Sequence, residues 1–151
     1  YSGIQRLWRK LEDLLKQTMH SDNWGNTYGP LTVGDNTLQL PNGLGLRYHN
    51  LRSTSQGLMY DSRKTEYTYG GRITENVIQA LARIVITDSM LRLDKEHDVA
   101  LTVHDEIIIT GTNIEPDATM EKIITDMCIP PCWARDLPLD AEGGYAKEYS
   151  K

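Results

Sequence analysis

The stretch VALTVHDEIIIT, residues 99–110, sets three polar side chains, His104, Asp105 and Glu106, between two runs of apolar and β-branched residues. Val99, Leu101 and Val103 before the polar group, and Ile107 and Ile109 after it, read as two short hydrophobic strands. The join between them is so tight that His104 and Asp105 occupy the turn. Two buried strands are then expected to hold one carboxylate, that of Asp105, rigidly. Such a placement suits a metal ligand, because Mg²⁺ is bound through one or two carboxylates together with substrate phosphates and water. A hairpin whose Asp caps its own turn gives the same pattern, and His-Asp-Glu alone does not decide between the two. Adjacent carboxylates at Asp105 and Glu106 repel each other unless a cation or a donor stands near.

Working outward from the hairpin, residues from Pro116 to Met127 read as a helix with Met120, Ile123, Ile124 and Met127 facing inward. On the other side, a long helix is expected from Thr74 to Leu93, with Thr74 as its N-cap after the breaker pair Gly70 and Gly71. Its apolar face is Val77, Ile78, Leu81, Ile84, Val85 and Leu91. Arg72, Asn76, Gln79 and Arg83 follow at spacings of four, three and four, which is one stripe along a helix. Solvated faces are usually rich in Glu and Lys. Amides and guanidinium groups instead suit base-edge acceptors in the minor groove and phosphate oxygens, so the stripe reads either as a solvated face or as a nucleic-acid contact. Further upstream, Leu38, Leu40, Leu44 and Leu46 alternate around Asn42-Gly43. Asn-Gly accommodates positive φ at both positions of a tight turn, so a β-hairpin ending near Tyr48 is expected. At the start, Ile4, Leu7, Trp8, Leu11, Leu14 and Leu15 recur at helical spacing and need a core to lie on.

The 151 residues suffice for one domain or one piece of a larger one. With 39% apolar and 25% charged residues, the composition is that of a water-soluble protein, and no apolar run approaches the ~20 residues that span a bilayer. No membrane partner and no signal peptide are expected. The chain begins at Tyr1 rather than Met, so its start is expected not to be a natural one, whereas its carboxy terminus reads as natural. Cys128 and Cys132 flank Ile129, Pro130 and Pro131, and two thiols make neither a disulfide framework nor a four-ligand zinc site. They read as reduced and structural. The net charge of -5 speaks against nucleic acid as a partner, but Arg47, Arg52, Arg63, Lys64 and Arg72 face only Asp61 and Glu66, a local excess of +3. That stretch is either a basic patch or a solvated mixed-charge surface. No repeat or low-complexity linker is present.

Together, the VHDE turn (103–106), YGGRITENVIQALAR (69–83), LPNGLGLRY (40–48) and WARDLPLDAEGGYAKEY (133–149) carry a resemblance. VHDE between two hydrophobic strands resembles the third conserved motif of family A DNA polymerases, the class of bacterial polymerase I and many phage replicases. The other three segments resemble the preceding helix, the hairpin after the fingers and the carboxy-terminal tail of phage-type members. The similarity covers nearly the whole chain in order. The family's first catalytic motif, an Asp followed by Tyr and Ser, and the fingers helix with its Lys and Tyr would both precede Tyr1.

The resemblance implies an α+β fold, an antiparallel palm sheet with packed helices. Residues 1–73 would lie near the base of the fingers and 74–151 in the palm. It implies a DNA-directed DNA polymerase that joins deoxynucleoside triphosphates to a primer on template DNA by a two-Mg²⁺ mechanism, in the cytoplasm of a bacterial host. Asp105 would be one of two metal-ligating aspartates, Glu106 a weaker or outer-shell metal participant, and His104 a group at the primer end. Gln79 matches the glutamine that approaches the minor groove beside the primer terminus, with Arg72, Asn76 and Arg83 as further DNA-binding residues. Asn76 departs from the bacterial pattern, standing three rather than four residues before Gln79. The implied partners are primer-template DNA, deoxynucleoside triphosphates and an upstream polymerase portion, in the same or a separate chain, without which the chain would be inactive. Two other readings stand beside this one: a palm-derived module that binds primer-template or a replication partner without chemistry, and an unrelated metal-dependent hydrolase. The last is disfavoured, because His20, His49 and His97 show no ligand spacing.

Overall fold

The computed structural model describes residues 1–111 and 115–149. Among these residues it is an α+β chain with three antiparallel sheets and three α-helices, in two compact units, Tyr1–Ala82 and Arg83 onward. The boundary between the units falls inside the longest helix.

The first unit opens with α1, Ser2–Gln17. Only the second half of its predicted apolar face is buried: Leu11, Leu14 and Leu15 are, whereas Ile4 and Trp8 are exposed. The helix end is tied down by Thr18, whose hydroxyl donates to the Leu15 carbonyl at 2.7 Å. The Thr18 carbonyl in turn accepts from the Trp24 indole at 3.2 Å and from the Asn36 amide at 3.2 Å. A helix terminus leaves carbonyls without intrahelical donors, and here one of them anchors a hairpin turn.

That hairpin belongs to a four-stranded meander of β1 Thr27–Tyr28, β2 Leu31–Gly34, β3 Thr37–Gln39 and β4 Gly45–Arg47. Val33 pairs with Leu38 and Leu38 with Leu46, and Leu31, Val33 and Leu38 are buried. The predicted hairpin over 38–46 is present, but its turn differs from expectation. Gly43 has φ +83 and Asn42 does not have positive φ, and the Gly43 amide donates to the Leu40 carbonyl at 3.0 Å. Pro41 is the reason: its fixed φ suits the first central position of a β-turn, which moves the left-handed position on to Gly43. A second sheet follows, of β5 Arg52–Thr54, β6 Gly57–Asp61 and β7 Thr65–Thr68, which the sequence reading did not anticipate.

The helix α2 runs from Gly70 to Leu93, four residues earlier than predicted. Thr74 is inside it, its hydroxyl donating to the Gly70 carbonyl at 2.7 Å, and is not its N-cap. The helix starts on glycine because α1 lies against it. A Cβ on Gly70 would come within 2.5 Å of the Trp8 carbonyl, and the Gly70 amide is capped by the Glu12 carboxylate at 3.1 Å. Ile73, Val77 and Ile84 form the buried stripe, while Ile78 and Leu91 of the predicted face are exposed.

The second unit holds the end of α2, the hairpin β8 Asp98–Val103 and β9 Glu106–Thr110, and α3 Pro116–Met127. Arg92 on α2 binds α3 through its Nε, 2.7 Å from Asp126 Oδ1, and its Nη2, 2.9 Å from the Asp126 carbonyl. Lys122 pairs with Glu96. The predicted inner face of α3 is correct in direction, but Met120, Ile123, Ile124 and Met127 are only half-buried. No helix among the described residues is long and apolar enough to cross a membrane.

Candidate functional site: the His104–Glu106 turn

Val103 pairs with Glu106, so the link between β8 and β9 is the two residues His104 and Asp105, as the sequence predicts. His104 has φ +56. The other non-glycine residues with positive φ among those described are Asn36 and Asn50, whose short amides favour that region. His104 therefore holds a conformation of raised energy at the position that presents Asp105.

The expectation of two buried strands is corrected by the structure. Leu101 is 48% exposed, and no residue of β8 or β9 is fully buried. The register explains why. With Val103 opposite Glu106 and Leu101 opposite Ile108, those residues share one face. The pairing shifts between Val99 and Leu101, so Val99 lies opposite Ile109 on the other face, with Ile107. A bulge that leaves Ala100 unpaired thus splits the apolar residues between both faces of a two-stranded ribbon.

Asp105 and Glu106 are both exposed. Glu106 Oε2 accepts a hydrogen bond from the Tyr149 hydroxyl at 3.3 Å, and no hydrogen bond or ion pair reaches the Asp105 carboxylate among the described residues. The carboxylate oxygens of Asp105 and Glu106 are the hard donors Mg²⁺ takes, and Asp105 is open to a cation and its phosphate ligands. They fit as part of such a site. Among the described residues no group of three or more His, Cys, Asp or Glu side chains forms a site able to hold a metal by itself.

Arg83 is brought to this turn as well. Its Nη1 donates to the His104 carbonyl at 3.4 Å and its Nη2 to Thr102 Oγ1 at 3.5 Å. Tyr149 and Thr102 are contacts the sequence reading missed. Tyr149 had no periodic signal, since the tail around it is neither helix nor strand; like Tyr145, which donates to Asp117 at 3.0 Å, it donates to a carboxylate. Asp117 holds the Tyr145 phenol above its usual pKa.

The remaining stripe residues lie in the first unit. Arg72 is exposed but engaged, donating to the Tyr67 carbonyl at 3.0 Å and pairing with Glu66 at 3.5 Å. Asn76 is half-buried and donates to the Tyr48 hydroxyl at 3.3 Å, and burial raises the pKa of that phenol. Gln79 is exposed and donates to Glu75 at 3.2 Å. Of the predicted basic stretch, Arg52 is neutralised by Asp61 at 3.1 Å, leaving Arg47, Arg63 and Lys64 without an ion pair among the described residues. A polar groove of about 510 Å³ on β3 and β4, lined by Asn36, Gln39, Arg47 and His49 among others, contains none of the predicted site residues. Cys128 and Cys132 are free, and Cys132 is exposed.

No protein-family model and no solved structure matches the chain. The chain is similar to the DNA polymerase of Bacillus phage SP02, at 30% identity in an alignment 127 residues long that covers 76% of this chain and 19% of the phage protein. It therefore spans about a fifth of the length of that relative. At this level the similarity supports a relationship between the chain and a phage DNA polymerase.

Proposed function

We propose that the chain supplies the carboxy-terminal palm portion of a family A DNA polymerase and takes part in template-directed nucleotidyl transfer in DNA replication. The observation that carries this reading is the open Asp105 carboxylate, presented at the tip of a two-residue turn in a chain similar to a phage DNA polymerase. In this reading the primer 3′ hydroxyl attacks the α-phosphate of a deoxynucleoside triphosphate, and pyrophosphate leaves. Asp105, with Glu106 beside it, would hold Mg²⁺, which supplies charge stabilisation at the phosphoryl oxygens. His104 faces the primer end. Tyr149, by donating to Glu106, leaves Asp105 as the freer ligand. Gln79 and Arg72 contact the primer-template, each giving up a weak intramolecular partner, Glu75 or Glu66, to do so. Asn76 acts through Tyr48 as a support for the helix rather than as a direct contact.

A second aspartate and the nucleotide-binding helix belong, in this proposal, to a polymerase portion outside these 151 residues. The two-faced apolar pattern of β8 and β9 supports it, because ribbons with apolar residues on both faces are stable when both faces are covered. A non-catalytic palm remnant is the less favoured alternative. It predicts that Asp105 is dispensable.

Primer extension with Mg²⁺ and the four triphosphates tests the reading. The chain alone is expected to give no extension, and addition of a polypeptide carrying the family's first two motifs is expected to restore it. Extension by the chain alone would contradict the proposal.

A further inference from the structure

We propose that Arg83 is a positioning residue for the His104–Glu106 turn and not a contact to nucleic acid. Its catalytic consequence rests on the polymerase reading, whereas its effect on the turn does not.

Packing does not fix this turn, since no residue of β8 or β9 is fully buried and Leu101 is 48% exposed. The two-residue link gives His104 φ +56, the sign such hairpin turns need at their first position, at a residue whose Cβ makes it costly, so a further hold on the turn is of use. Arg83 is a side chain that reaches the turn from α2. The guanidinium is a rigid planar fork, and its two terminal nitrogens reach two places on the hairpin: the His104 carbonyl at 3.4 Å and Thr102 Oγ1 at 3.5 Å. One group thus spans the end of β8 and the first turn residue. The carbonyl it holds belongs to the peptide unit that joins His104 to Asp105. Fixing that plane fixes the direction in which the Asp105 side chain leaves the backbone. With a donor of each terminal nitrogen turned to the hairpin, the end of the fork is occupied and only its Nε edge is left for a phosphate, so the hairpin competes with nucleic acid for this group. Lysine keeps the charge but lacks the fork, so it cannot make both contacts in one geometry.

The test compares the full wild-type chain with Arg83→Ala, Arg83→Lys and Thr102→Val by ¹⁵N relaxation. Amides of residues 104–106 are expected to behave as rigid backbone in the wild type, with order parameters of about 0.85, and to fall below about 0.6 in both Arg83 variants. Thr102→Val should give an intermediate value. The amides of α3, which lies in the same unit as the hairpin, serve as the control for intact folding. Unchanged order parameters at residues 104–106 in Arg83→Ala would overturn the proposal, and recovery in Arg83→Lys would assign the effect to charge and overturn the fork. In the reconstituted polymerase, Arg83→Ala should lower kcat by at least about 10-fold at unchanged primer-template Kd, because misplacing a reacting group by about 1 Å costs up to about 100-fold. A raised Kd with unchanged kcat, together with a shallower salt dependence, would make Arg83 a phosphate contact and contradict the proposal. Disorder of the turn with unchanged kcat would leave Arg83 as its positioner and contradict the polymerase reading of the turn.

Discussion

Asp61 sits in a small charged cluster on the second sheet. Its carboxylate accepts from Arg52 at 3.1 Å, Asn50 at 3.1 Å and Thr65 at 2.9 Å. These donors, Arg52 first, hold its pKa down to about 2 from an ordinary 3.8. A carboxyl whose folded pKa is depressed adds stability above its unfolded pKa and loses it as pH falls through the folded one. Asp61→Asn is therefore expected to lower Tm at pH 7, with the gap to the wild type closing between pH 3.8 and about 2. Thermal melts across that range check it, and a gap constant with pH would refute the linkage. At this scale, part of the candidate site was legible in the sequence. Two β-branched runs with two residues between them left His104 and Asp105 no place but the turn. The partners of Arg83 and Asn76 were not legible. Helical spacing gives the face a side chain occupies, but not what lies against that face, and Tyr48 and His104 are 28 and 21 residues away.

At the level of elements, the helices and the β8–β9 hairpin were readable because long apolar periodicities and Pro116 at a helix start are strong local signals. The second sheet was not. Its strands are three to five residues long, run through a stretch rich in Ser, Thr, Arg and Lys, and bury only Leu58 and Thr68. The early start of α2 was hidden for a different reason. Gly70 and Gly71 look like breakers by local propensity, and tertiary packing overrides that propensity. The Gly70 position needs the absence of a side chain, because the Trp8 carbonyl lies where a Cβ would be. Gly70→Ala is thus expected to destabilise the first unit by about 1–3 kcal/mol despite alanine's better helix propensity. Urea denaturation followed by circular dichroism measures this, and a stabilised variant would show that α1 does not press on the helix start.

Over the whole molecule, a net charge of -5 coexists with a proposed DNA-binding role. The structure sharpens that tension, since Arg52 and Arg72 are already paired with Asp61 and Glu66. In the proposal, primer-template affinity then comes largely from the polymerase portion outside this chain, which is about a fifth of the length of the phage polymerase it resembles. What the chain contributes, in the same proposal, is Asp105. The most direct measurement is single-turnover nucleotide incorporation by the reconstituted polymerase at saturating primer-template, comparing wild type with Asp105→Asn and Glu106→Gln, with thermal melts as the folding control. Asp105→Asn keeps shape but removes the charge, and is expected to fold normally and lose at least about 100-fold in rate, with Glu106→Gln losing less. Incorporation by Asp105→Asn at the wild-type rate would make Asp105 a turn residue and contradict the account.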